Sequence, residues 1–216
     1  MAAYYIQQSI GGTVSEGAIK QKNDDLAVLR NSHRLNVDPF IADRVVFLED
    51  DICHSSIPSE SVDAIMSWEV LEHVTKPNNV FLEISRILKP GGFAFHEYNP
   101  FFSITGGHSP CTLDFPWGHT RLNSDDFEKY INKFRPNESS VALSFYKYNL
   151  NRMTLADLKQ HINAAGMRIL ALLPEHSTDQ LKYINHEVLS QAKNIYPSVT
   201  LLDLISPFVW ILFIKE

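Results

Sequence analysis

Three histidines sit in settings where an imidazole could do chemistry. His73 lies in Glu72-His73-Val74, His108 follows Gly106-Gly107, and His119 follows Trp117-Gly118. An imidazole gains and loses its proton near neutral pH, so each is a candidate general acid or base. The acidic run Glu49-Asp50-Asp51 closes an apolar stretch and could face a polar ligand or a cation. His108-x-x-Cys111 with His119 offers three metal-ligating types. Zinc sites favour tighter, paired spacings and a fourth ligand is not visible, so no metal is expected. Cys53-His54 is a weaker case of the same kind. No Gly-x-Ser-x-Gly elbow and no Walker loop occur, which leaves serine hydrolysis and P-loop chemistry unsupported.

The elements that must position these groups alternate. A β-like run over residues 10–15 leads into a helix to about residue 34, with Ser15 as its cap. Residues 45–48, Val-Val-Phe-Leu, read as a strand buried on both faces, and 62–66, Val-Asp-Ala-Ile-Met, as a second. A helical stretch interrupted at Pro77 continues with Val80, Phe81, Ile84, Ile87 and Leu88 at helical spacing. Pro90-Gly91-Gly92 ends that helix and turns the chain into a third strand from Phe93. Thr154-x-x-Asp157 is a capping box, with Leu155, Leu158 and Ile162 on one face and Gly166 just past the end. Strands follow at 167–173 and 209–214, with a helix around 180–193 between them. Alternation of this kind argues for an α/β fold: a mostly parallel sheet with helices on both faces, binding ligands at the carboxyl ends of its strands.

Residues 100–150 break the rhythm. They hold ten of the chain's 24 aromatic side chains, counted over 101–148, and three of its nine glycines. This segment reads as a cap over a substrate, with aromatics shaping a pocket, within a single domain spanning 1–216.

Composition bounds the rest. The 216 residues carry 19 basic and 25 acidic side chains, a net charge of −6, so nucleic acid is not an expected partner. Two cysteines make no disulfide framework and suit a reducing compartment. The N-terminus lacks the basic and apolar regions of a signal peptide, so a cytoplasmic location is expected. The most apolar stretch, 201–214, contains Asp203 and Pro207 and falls short of a span, so a buried strand is expected there and no membrane helix.

At 47–98 the reading becomes specific. A strand ending in Asp51-Ile52, then Val62-Asp63-Ala64-Ile65-Met66-Ser67 followed by Glu69-Val70-Leu71-Glu72-His73-Val74, then Glu83-Ile84-Ser85-Arg86-Ile87-Leu88-Lys89-Pro90-Gly91-Gly92, resembles the middle of a class I S-adenosylmethionine-dependent methyltransferase. The resemblance implies a Rossmann-like sheet with a final antiparallel strand and S-adenosylmethionine as cofactor. It assigns Asp51 to the adenine, with Ile52 packed beside the ring. It assigns Ser67, Trp68 and Glu69 to the loop bordering the methionine part, and Thr13 to the position of the acidic residue that ends the family's second strand. The family's Gly-rich loop has no counterpart upstream of Asp51, where only Gly11-Gly12 pair. The alignment therefore implies that the first strand and its loop are missing. The implied function is methyl transfer to a small-molecule or glycan-type acceptor by in-line displacement. The protein's part there is chiefly alignment, helped by a base when the acceptor is a hydroxyl. The alternative is a non-catalytic remnant, or a fragment of a split or truncated enzyme that needs a partner polypeptide to supply the missing strand. A nicotinamide-dependent enzyme is a weaker third reading, because it too needs a Gly-rich loop.

Overall fold

The structure is a computed structural model. It describes residues 3–7, 45–176 and 178–216, divided into two compact units, Met1–Ser56 and Ile57–Glu216. In the first unit, β1 (Ala3–Gln7) and β2 (Val45–Glu49) pair in parallel, Ala3 opposite Val45 and Gln7 opposite Glu49. β2 matches the strand read at 45–48. β1 was not anticipated. The expected strand at 10–15, the helix to residue 34 and Thr13 lie outside the described residues.

The second unit holds a four-stranded sheet in the order β3 (Val62–Trp68), β4 (Leu88–Tyr98), β6 (Phe208–Lys215), β5 (Met167–Glu175). β3 and β4 are parallel, whereas β6 runs antiparallel to both neighbours. The final antiparallel strand is as the resemblance implied, and the Rossmann-like class holds. The sheet is mixed rather than mostly parallel: one of its three pairings is parallel.

β3 departs from the two-sided burial expected of it. It has one strand neighbour among the described residues, and its Met66 and Trp68 are 54% and 55% exposed. An apolar run alone does not distinguish a central strand from an edge strand, because both satisfy the same pattern.

Pro77 does not interrupt a helix; it starts one. It occupies the first turn of α1 (Pro77–Ile87), where its missing N–H costs nothing. What precedes it is a short 3-10 turn, Leu71–His73. α1 buries Val80, Phe81, Ile84 and Ile87. Pro90-Gly91-Gly92 is part of β4 rather than a stop before it, in a stretch where the register slips so that Val62 faces Leu88 but Ala64 faces Phe93. Gly91 has φ +77, a conformation that side chains with a Cβ resist. Lys89 pairs with Asp63 at 2.8 Å across the same irregularity.

The cap segment is helical. It comprises α2 (His108–Cys111), α3 (Gly118–Arg121), α4 (Ser124–Phe134) and α5 (Ser139–Tyr148). Phe101, Phe102, Trp117, Phe127, Ile131 and Tyr146 form a core there with Val188, Ala192, Val199 and Leu204 from far along the chain. Phe127 stacks on Tyr146 at 4.0 Å, and the Arg152 guanidinium covers the rings of Phe101 and Tyr146 at 4.3 and 4.5 Å. Most of the aromatics thus hold the cap together instead of lining an open pocket.

α6 (Leu155–Ala164) begins with the expected capping box, buries Leu155, Leu158 and Ile162, and is followed by Gly166 at φ +74. The helix expected at 180–193 is two: α7 (Thr178–Leu181) and α8 (His186–Ile195), the second capped by Asn185, whose side chain accepts from Val188 N–H. The stretch 201–214 is not one strand. It is α9 (Leu201–Ile205), opened by a second capping box of Thr200 and Asp203, then β6. No described helix is long and apolar enough to cross a membrane.

Candidate functional site

The carboxyl end of β3 delivers Ser67, Trp68 and Glu69 in succession. Ser67 Oγ lies 2.6 Å from His96 Nδ1 on β4. Trp68 is exposed, with its ring 6.2 Å from that of Phe95. Glu69 closes the strand with φ +52, its N–H donating to the Glu97 carbonyl at 2.9 Å. A non-glycine residue in the left-handed region is uncommon and concentrates at sites the surroundings hold in place. Its carboxylate is exposed.

The next turn buries a carboxylate. Glu72 is 1% exposed; Oε1 accepts the Asn99 N–H at 3.2 Å, and Oε2 is buried with no hydrogen-bond partner. Burial pushes its carboxyl up to about 7, with Glu69 and Glu97 adding to the same direction. Asn151 straps the turn down. Its Nδ2 donates to the carbonyls of Leu71 and Val74 at 2.6 and 3.0 Å, and its N–H donates to the Glu72 carbonyl at 2.9 Å.

His73 and His108 meet beside this carboxylate. Their ring centroids are 4.9 Å apart, and Phe145 packs against both at 5.8 Å. His73 Nδ1 lies 2.6 Å from the Asn149 carbonyl. A carbonyl only accepts, so Nδ1 carries the proton. His108, at φ +49, keeps a buried Nε2 with no partner; burial and the nearby His73 lower its pKa. It borders a cavity of about 680 Å³ lined by Asn99, Thr105, His108, Thr112, Asp114 and Arg135.

His119 is placed differently. It is fully buried in the cap, its Nε2 2.8 Å from the Phe101 carbonyl, and burial lowers its pKa to about 4. Cys111 is buried, donates to the Ala142 carbonyl at 3.4 Å, and has its thiol pushed up to about 12. His108, Cys111 and His119 therefore do not converge on a common point. The one group of potential metal ligands among the described residues is Glu72, His73 and His108.

In the first unit, Asp51 is exposed, and its Oδ1 accepts the Cys53 N–H at 2.8 Å. Its neighbour Asp50 organises the loop, accepting from Ser55 Oγ at 2.7 Å and Ser56 N–H at 2.8 Å. Ile52 is half-buried. Asp50 and Asp51 both hold the loop, and Asp51 is exposed.

Residues 2–96 match the family described as Methyltransferase domain. Over that stretch, a little under half of its length, the chain is similar to a methyltransferase domain. A sterol 24-C-methyltransferase of Yarrowia lipolytica is 35% identical over 77 residues, a stretch covering 35% of this chain and 20% of that enzyme. The chain thus aligns with about a fifth of that relative's length. Two solved structures share the fold. One is geranyl diphosphate C-methyltransferase from Streptomyces coelicolor A3(2) in complex with Mg2+, geranyl diphosphate and S-adenosyl-L-homocysteine. It has TM-score 0.50 and 13% identity, with 99% of this chain and 64% of that chain covered. The other is a geranyl diphosphate methyltransferase in complex with SAM, at TM-score 0.50 and 12% identity, covering 100% and 69%. Of the residues gathered here, Glu72, Asn99, Asn149 and Asn151 were not singled out as site residues from the sequence. Glu72 stands inside the quoted Glu-His motif. The asparagines carry no local signal, since their partners lie 27 to 80 residues away.

Proposed function

We propose that this chain serves S-adenosylmethionine-dependent methyl transfer to a small-molecule or glycan-type acceptor. The observation that carries the reading is the strained Ser67-Trp68-Glu69 end of β3 running directly into the buried Glu72 and the paired His73 and His108. In this reading Ser67, Trp68 and Glu69 border the methionine part of the cofactor. Displacement at a sulfonium needs an aligned nucleophile above all. A hydroxyl acceptor would enter from the cavity beside His108, whose lowered pKa keeps the imidazole neutral and able to take a proton at Nε2. His73, whose proton is fixed on Nδ1, is the second candidate. His119 is tied to a backbone carbonyl and serves the cap.

A second reading has its own support: β3 presents one edge without a strand partner among the described residues. A partner polypeptide pairing there would complete the cofactor site.

Trp68 supplies the test. Adding S-adenosylhomocysteine should change tryptophan emission in the wild type and not in Trp68→Phe. Unaltered wild-type emission at saturating cofactor would refute cofactor binding at this loop for the chain alone. If the response appeared only with a partner polypeptide, the second reading would replace the first.

A further inference from the structure

We infer that Glu72, His73 and His108 form a binding site for one divalent transition-metal ion. One carboxylate oxygen and one nitrogen from each ring lie within 4.8 Å of one another. Two of these residues bury a polar atom that finds no hydrogen bond: Glu72 Oε2 and His108 Nε2. A buried polar atom without a partner costs about 1–3 kcal/mol, and more when charged. Two such atoms in one cluster therefore call for a common ligand. His73 is oriented for the same task. With its proton fixed on Nδ1 by the Asn149 carbonyl at 2.6 Å, its lone pair is on Nε2. That is how a backbone carbonyl commonly fixes a metal-ligating imidazole.

The donor set selects the ion. Two imidazole nitrogens and one carboxylate oxygen suit zinc, iron(II) or cobalt(II); magnesium and calcium take oxygen ligands. Bonds of about 2.0–2.2 Å would draw the three donors inward by roughly an ångström, within the reach of side-chain rotation. Three protein ligands leave further positions open. His108 also borders the cavity walled by Asn99 and Thr105. The nearby carboxylates of Glu69 and Glu97 add negative potential that favours a dication. The inference rests on these side chains and not on methyl transfer. Within the methyl-transfer reading, an ion here would activate the acceptor oxygen by lowering its pKa, in place of His108 taking its proton.

The test uses the full chain stripped with chelator and titrated with cobalt(II), then zinc(II). One equivalent of cobalt should produce the intense visible bands of low coordination number, and zinc should displace it. Glu72→Gln and His108→Ala should each weaken binding by roughly 100-fold or more. His186→Ala, an exposed histidine on α8, should bind as the wild type does. Because either ligand variant could disturb the fold, the ring-nitrogen NMR shifts of the wild type are read as well. Zinc should move two of the nine histidines, both at Nε2. A cobalt spectrum that stays that of the free aqueous ion would overturn the inference. So would binding unchanged in both ligand variants, or histidine shifts unmoved by zinc. In the first of these outcomes, a proton shared between Glu72 and His108 is what reconciles the two unpartnered atoms.

Discussion

Ser67 Oγ and His96 Nδ1 lie 2.6 Å apart at paired positions of the parallel β3–β4 ladder, and His96 Nε2 is buried with no partner. The contact ties the loop-forming end of β3 to an interior imidazole that must stay neutral. Burial holds the pKa of His96 down to about 3. The stability it contributes is complete above the ordinary histidine value and is lost as pH falls from there toward 3. Lowering the pH from 7.5 to 5 should therefore cost about 2 kcal/mol through His96. His119, lowered to about 4, should add a similar loss. Urea denaturation across that range checks it: His96→Gln should flatten the profile by about 2 kcal/mol. An equal slope in wild type and variant would count against the burial argument.

The Asn151 strap yields a second expectation. Asn151→Ala leaves the carbonyls of Leu71 and Val74 without their donor. It should destabilise by about 1–3 kcal/mol. It should also loosen the turn carrying Glu72 and His73, seen as faster amide exchange at residues 71–74. Asn151→Asp, which removes the donor and keeps the shape, should behave like alanine rather than like the wild type.

Asp203 links two helices. It closes the α9 capping box with Thr200, and its Oδ1 accepts the N–H of Leu155 at the start of α6 at 2.7 Å. Thr154→Ala should cost about 1 kcal/mol, as an ordinary cap does. Asp203→Ala should cost more, about 2–4 kcal/mol, because it strips partners from two helix starts at once. Thermal denaturation of the two variants side by side ranks them; equal losses would show that the link between the helices carries no stability.

What the sequence disclosed, and what it concealed, follows from the range of the interactions. The Thr154 box was legible because its partner is three residues away, and β4 and β6 because each is a short apolar run bounded by a Pro-containing turn. The Thr200 box has the same spacing. It was passed over because Leu201 and Leu202 read as the start of an apolar strand. Pro77 was placed at the right point and given the wrong role: a proline can end one helix or begin the next, and only the capping geometry separates the two. The Asp51 and Ser67–Glu69 positions came from motif order. The cluster of Glu72, His73 and His108 came from neither, because the cap must fold before His108 reaches the turn after β3. Its pairing depends on Phe145 and Asn149, residues whose types announce nothing.

We propose that this chain binds the methyl donor at the Ser67-Trp68-Glu69 end of β3. Titration calorimetry with S-adenosylhomocysteine tests it most directly. One-to-one binding is expected, weakened about tenfold or more in Glu69→Ala, consistent with loss of a charged hydrogen-bond partner worth about 1.5–3 kcal/mol. Absence of heat at cofactor concentrations of order 1 mM, a free energy weaker than about −4 kcal/mol, would contradict it for the chain on its own.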